Sequence, residues 1–200
     1  MSSVLEEVLE RSRAVGFLGP GPIDVHIEHA SLFGRALGPA ECRFADIGAG
    51  GGVPGLPMLV SNEAWSAVLI DASQKRCSFL VWAIGELGLS DRAEVWCGRA
   101  EDLGRQDDGR ERFDAVVARG FGPPATTVEC ATPLVRAGGR IVISEPPEKR
   151  NWPADELSAV GLTQLDAGPG IALFQRSGDL REELPRSTKQ LQRKPLFELD

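Results

Sequence analysis

The sequence predicts an α/β domain: a doubly wound, mainly parallel sheet of seven strands, with a small N-terminal helical appendage and a closing antiparallel hairpin. Three observations predict it. Short apolar runs alternate with segments of helical period, the signature of parallel strands covered by helices on both faces. Asp46-Ile47-Gly48-Ala49-Gly50-Gly51-Gly52-Val53-Pro54-Gly55 places an acid before four glycines in five residues, which reads as a strand running into a tight loop. Two late runs meet at Gly168-Pro169-Gly170, a hairpin signal.

Taken in order, Val4, Leu5, Val8 and Leu9 have helical spacing, and this helix stops near Gly16 to Gly21. Pro22 begins a second helix through Leu37, ended by Gly38-Pro39. Arg43 to Ile47 is the first strand, the glycine loop opens a helix near Leu56, and Ala67 to Ile70 is the second strand, closing on Asp71. Ser73 caps a helix from Gln74 to Leu87 with Gly88 as its stop. Ala93 to Cys97 is the third strand, Gly104 to Arg112 a charged loop, and Phe113 to Ala118 the fourth strand. Pro123-Pro124 introduces a helix through about Val135, and Gly138-Gly139 turns into a fifth strand, Arg140 to Ser144. After the break at Pro146-Pro147 come a short helix near Ala154 to Val160 and a hairpin of Leu162 to Asp166 with Ile171 to Gln175. The rest is a tail without strong periodicity. This divides the chain into a helical appendage (1–40), a ligand-binding domain (41–177) and a basic tail (178–200).

Composition narrows the function classes. The chain has 200 residues, 42% hydrophobic and 26% charged, as expected of one globular domain. Cys42, Cys77, Cys97 and Cys130 have no metal-ligand spacing and read as buried thiols in a reducing compartment. No signal sequence or membrane span is expected, no metal, and the expected location is the cytoplasm. A net charge of −7 argues against a broad nucleic-acid footprint. The charge is uneven, however: Leu184 to Phe197 carries Arg186, Lys189, Arg193 and Lys194 with no acid, either a solvated face or a local phosphate contact.

In doubly wound sheets ligands bind beyond the carboxyl ends of the strands. Those ends carry Asp46, Asp71, Arg99 and Arg119. The loop N–H groups suit an anion, worth about 0.3–1 kcal/mol at a helix start. Asp46 suits a cation, so the loop fits a ligand bearing both charges, an amino-acid-bearing nucleotide, better than a pyrophosphate. Asp71, 23 positions beyond Gly48, can accept both ribose hydroxyls; the alternative is a solvated turn acid or helix cap. Gly50-x-Gly52-x-x-Gly55 also matches a dinucleotide fingerprint, but Pro54 and the acid at Asp46 do not suit it, and the acid-first pattern favours S-adenosyl-L-methionine.

Here a specific resemblance appears. DIGAGGGVPGLP (46–57), LIDASQKRCSFLVWAIGELGL (69–89), GRAEDL (98–103), FDAVVARGF (113–121) and PLVRAGGRIV (133–142) resemble the ribosomal small-subunit methyltransferase G (RsmG/GidB) family. HIEHASLF (26–33) and the tail LPRSTKQLQRKPL (184–196) resemble its flanking elements. The resemblance implies a class I methyltransferase, Rossmann-like fold and S-adenosyl-L-methionine-dependent methylation of guanine N7 in small-subunit ribosomal RNA. It implies that Asp46, Gly48, Gly50 and Gly52 hold the methionine moiety, Asp71 the ribose, and Ala100 and Glu101 the adenine. Arg119 takes the position of the family's arginine near the methyl donor and the RNA, and is the candidate catalytic and cofactor-binding residue. Lys75, Arg76, Arg186, Lys189, Arg193 and Lys194 are the candidate RNA-binding cations, with ribosomal RNA or the small ribosomal subunit as partner.

The chain departs from the family's pattern at Ser144-Glu145-Pro146-Pro147, where the family has Lys-Gly, at His29 and Ala30, and at Gly120. Other readings therefore stay open: a same-fold methyltransferase acting on a small molecule or protein, a noncatalytic S-adenosylmethionine-binding relative, and a nicotinamide oxidoreductase. For single residues, Arg119 grips a phosphate, fixes a loop or pairs with Asp114. His26 and His29 pack a helix, Trp82 is core, and Lys75 and Arg76 face either an anionic partner or an acid such as Glu101. Trp152 is a candidate for stacking on a base, or anchors a loop on the sheet.

Overall fold

A computed structural model describes residues 3–38 and 40–199; Pro39, half of the stop expected after the second helix, lies outside them. Seven strands, β1 (Cys42–Ile47), β2 (Trp65–Asp71), β3 (Ala93–Cys97), β4 (Phe113–Ala118), β5 (Val135–Ser144), β6 (Leu162–Leu165) and β7 (Ile171–Arg176), form one sheet in the order β3-β2-β1-β4-β5-β7-β6. β1 to β5 run parallel, and β7 alone is reversed, pairing antiparallel with β5 and β6. The hairpin therefore joins the sheet through its second strand. Strand order reverses between β1 and β4, so their carboxyl ends flank the crevice where such sheets bind ligands.

Period-two burial sorts the strands' side chains onto two cores. Phe44, Ala67, Leu69, Ala115 and Val117 face a layer made by α1 (Val4–Ala14), α2 (Ile23–Leu37), α3 (Gly55–Ser61) and α4 (Gln74–Glu86). Ala45, Ile47, Val68, Ile70, Val116 and Ala118 face α5 (Ala100–Leu103), α6 (Pro124–Ala131), α7 (Ala154–Ala159) and the C-terminal segment. Both ends of the chain pack on this sheet: Leu9 and Phe33 are fully buried in the first core, and Leu184, Leu191 and Phe197 are buried in the second.

Some local expectations change. The helix expected to run to about Val135 stops at Ala131 with Thr132, still in helical conformation, as its cap; Pro133 has no N–H to continue the ladder, and Val135 already pairs with Phe113 as the start of β5. The tail contains a helix, α8 (Thr188–Arg193), with Ser187 N donating to Gln190 Oε1 at 3.1 Å in a capping box. Cys42 and Cys130 are free and buried, with burial pushing the Cys42 thiol up to about 12. Cys77 and Cys97, in contrast, are paired, their Cα atoms 5.8 Å apart, because α4 packs its first turn on the end of β3.

Candidate active site

The loop after β1 is shaped by backbone geometry that side chains would obstruct. Gly48 has φ 70°, and a Cβ there would lie 2.8 Å from Phe121 Cδ2. Gly55 lets its N–H reach Asp46 Oδ2 at 2.9 Å, and a Cβ would meet that same oxygen at 2.7 Å. Ala49 N donates to Ile70 O at 2.9 Å, which ties the loop to β2. Ser12 Oγ donates to Gly51 O at 3.0 Å, so α1 braces the loop from behind.

Asp46 is 1% exposed, and its Oδ1 has no hydrogen-bond partner. Burial lifts its carboxyl to about 7; the Gly55 N–H and Arg119 oppose that rise and Asp71 adds to it. Arg119 follows β4 at the other side of the crevice. Its Nη2 lies 2.7 Å from His26 Nδ1, and its buried Nη1 has no partner. Burial and then Arg119 lower the His26 pKa, so the ring is neutral. Because Arg119 only donates, His26 Nδ1 accepts, and the Nε2 proton goes to Gly19 O at 3.2 Å; this tautomer is inferred from the network. Asp114 is not Arg119's partner, since it accepts from Arg43 N at 2.7 Å and Arg136 Nε at 2.6 Å.

A cleft of about 580 Å³ opens beyond the strand ends, with Gly48, Asp71, Gly98, Ala100, Glu101 and Phe121 in its walls; Asp46 lies behind the loop and borders neither this cleft nor its neighbour. A neighbouring recess of about 210 Å³ is bounded by Phe17, Gly48, Gly50, Arg76 and Arg119. Gly52 borders neither; its N–H donates to Ala49 O at 2.7 Å and makes the turn. Asp71 Oδ2 accepts from Gly50 N at 2.9 Å and Oδ1 from Ser73 N at 2.8 Å, with Arg76 Nη1 3.6 Å from Oδ2. Arg76 thus faces Asp71, whereas Glu101 faces Arg99 Nη1 at 3.3 Å.

The candidate cations do not form one group. Arg76 and Arg119 border the recess. Lys75 is exposed on the first turn of α4 and borders neither space, and Lys189, Arg193 and Lys194 are exposed on and after α8. Arg186 turns inward to Glu129, donating from N at 2.9 Å, Nε at 2.8 Å and Nη2 at 2.5 Å. Glu145, which stands where a basic residue was expected, is also turned inward, accepting from Arg150 N at 2.8 Å and Trp152 Nε1 at 3.0 Å. Trp152 is 5% exposed and edge-on to Phe174 at 4.8 Å, so it anchors its loop on the sheet and offers no face for stacking. His29 packs edge-on against Phe33 and reaches Gly170 O at 3.3 Å, and Trp82 is half-buried under the Arg11 guanidinium, 4.1 Å from its centroid. Sequence reasoning missed His26 as the partner of Arg119, and Phe121 together with Thr188, Leu191 and Pro195 as walls of the cleft.

Among the described residues, no three His, Cys, Asp or Glu side chains gather as a metal site, and no helix is long and apolar enough to cross a membrane.

Comparisons with known proteins bear on the fold and the family. Among solved structures, the fold superposes on an O-methyltransferase from Bacillus cereus in complex with S-adenosylhomocysteine, with TM-score 0.60 and 18% identity over 89% of this chain and 92% of that one. It also superposes on the [4+2]-cyclase SpnF, with TM-score 0.59 and 20% identity over 82% of this chain and 71% of that one. Ribosomal RNA small subunit methyltransferase G from Gloeobacter violaceus is 37% identical over 72% of this chain and 66% of its own length. The same-named proteins of Moorella thermoacetica and Oenococcus oeni are 38% and 33% identical, and the chain spans 45% and 60% of their lengths. The family model described as rRNA small subunit methyltransferase G matches residues 26–159, two thirds of the sequence, and on that match the chain belongs to the GidB family.

Proposed function

We propose that the chain is a cytoplasmic S-adenosyl-L-methionine-dependent methyltransferase that methylates N7 of a guanine in small-subunit ribosomal RNA. One observation carries the cofactor reading. Two opposite charges at the ends of β1 and β4, Asp46, which is buried, and Arg119, which is half-buried, each keep one buried polar atom unpartnered. A buried charge left half-satisfied is costly, and a zwitterionic amino-acid tail supplies both missing partners. Asp46 Oδ1 would take the ammonium group, and Arg119 Nη1 with the Gly48 to Gly50 backbone the carboxylate. Asp71, already fixed by Gly50 N and Ser73 N, would turn its remaining lone pairs to the ribose, and Ala100 and Glu101 would flank the adenine.

S-adenosyl-L-methionine, when bound, supplies an electrophilic sulfonium methyl group. Guanine N7 carries a lone pair and no proton, so the chain needs no general base. Its work is positioning, which can lower a barrier by about 7–11 kcal/mol. Arg119, tethered by His26, is kept for the carboxylate; a guanidinium against the guanine would oppose the positive charge that develops there. The family membership supports RNA as substrate. So does the inward burial of Glu145, which removes one acid from the surface, and the exposure of Lys75, Arg76, Lys189, Arg193 and Lys194 as phosphate contacts.

The test is transfer of a radiolabelled methyl group to small ribosomal subunits, extracted RNA and a metabolite pool, followed by nucleoside identification. The expected product is 7-methylguanosine from subunits or RNA. Label confined to the metabolite pool would replace RNA with a small-molecule substrate, and binding without transfer would leave a noncatalytic relative.

A further inference from the structure

The C-terminal segment, expected from its charges to be a solvated or RNA-facing tail, packs as a strap across one end of the cleft. Thr188, Leu191 and Pro195 contribute to the wall of the cleft itself, beside Ala100 and Glu101. The strap is held on both sides of that wall. Before it, the bonded pair of Arg186 and Glu129 is joined by Arg105 Nη2 to Arg186 O at 2.6 Å and Arg110 Nη1 to Leu184 O at 2.6 Å. After it, Phe197 is buried 6.1 Å from the Trp152 ring centre. Leu191 plugs the same core from the middle of α8.

One polar contact joins strap and cleft. Thr188 Oγ1 donates to Glu101 Oε1 at 2.7 Å, across 87 positions of sequence. Glu101 is 3% exposed. Beyond Thr188, its described partners are Arg99 Nη1 at 3.3 Å on the same oxygen and Cys130 Sγ, a weak donor, at 3.9 Å from Oε2. The Thr188 hydroxyl therefore fixes the orientation of a buried carboxylate that still has acceptor capacity.

We propose that the strap is the outer wall of the adenosine subsite and that Thr188 is a positioning residue: by orienting Glu101 as an acceptor, it makes the subsite select a base carrying an exocyclic amino group over one carrying a carbonyl. This rests on the cofactor reading above. A fixed acceptor rewards a 6-amino donor and repels a 6-oxo acceptor, so discrimination comes from a mispaired buried group and not from size. Leu191 supplies contact area without regard to the base's polar edge.

Calorimetry with the full chain and two probes, S-adenosylhomocysteine and S-inosylhomocysteine, tests this. The wild-type chain is expected to prefer the adenosyl compound by at least about tenfold. Thr188→Val keeps the shape, loses the hydroxyl, and is expected to cut that preference by about fivefold or more, while Thr188→Ser retains it. Leu191→Ala should weaken both probes equally and leave the ratio unchanged. A merely structural Thr188 would change affinity or melting temperature and not the ratio, so an unchanged ratio in Thr188→Val overturns the proposal. If the wild-type chain binds neither probe, the cofactor reading itself fails and the strap's role falls with it. If it binds S-adenosylhomocysteine while Thr188→Val keeps full discrimination, only the strap's role fails.

Discussion

Two charge clusters, each a buried acid with a half-buried arginine, sit on opposite faces of the sheet, and they are finished differently. Glu129 and Arg186 satisfy each other: three donors of one residue meet both oxygens of the other, and the pair stitches α6 to the strap. Asp46 and Arg119 also feel each other, yet each keeps an atom without a partner. A closed cluster maintains architecture, because removing one member exposes the other to an uncompensated burial. An open one stores an unmet demand that a ligand can answer.

The sharpest way to break the comparison is to open the closed cluster. Glu129→Ala strands the Arg186 guanidinium and should lower unfolding free energy by about 3 kcal/mol, measured by urea denaturation. The reverse manipulation, Asp46→Asn, removes a desolvated charge. It should leave the melting temperature at pH 8 unchanged or higher while weakening S-adenosyl-L-methionine binding by about 1.5–3 kcal/mol, read by calorimetry. If Asp46→Asn melts as early as Glu129→Ala, the distinction between the clusters is wrong.

Acidity sharpens the contrast next. The Asp46 carboxyl is raised to about 7, well above its ordinary 3.8. Between those values the folded chain holds a proton that the unfolded chain has released, so the charge's burial penalty is fully felt above pH 7 and relieved as pH falls through it. Ligand affinity runs the other way. An ammonium partner needs the ionised form, so binding below pH 7 expels a proton and should weaken by up to about tenfold per unit. Titration calorimetry at pH 6, 7 and 8 checks this, and Asp46→Asn should flatten the profile. A smaller effect is expected from His26→Ala, which frees Arg119 from its tether: about 1 kcal/mol of ligand affinity, with the pH profile retained because Asp46 sets it. The smallest is expected at the surface. Lys189→Ala should weaken RNA binding modestly and reduce the salt slope by about one unit.

How much of this was readable in the chain depends on the range of the interaction concerned. Ala93–Cys97 and Phe113–Ala118 are strands with the expected ends, since a short, mostly apolar segment centred on valine and bounded by a turn and a glycine leaves few alternatives. The glycine loop, Asp46 and Asp71 were equally visible, because backbone conformation there is dictated locally. What escaped were contacts across the fold. His26 and Arg119 are 93 positions apart, and nothing near either residue signals the other. The pairing of Cys77 with Cys97 needs the docking of α4 on β3. Arg186 looked like one cation of a basic run, while its partner Glu129 sat in an apolar helix with no charge pattern to announce it. The Ser187-Thr188-Lys189-Gln190 capping box was the one local clue that the tail is ordered, and the surrounding charges masked it.

The strap follows every strand of the sheet in the chain, yet it walls the cleft between them. During vectorial synthesis the scaffold can therefore collapse before its last wall arrives. A nascent chain would present the amino-acid socket at Asp46 and Arg119 while the base-facing end still lay open to water. Competence for tight nucleoside capture would arrive only once the strap, made after the whole sheet, had docked.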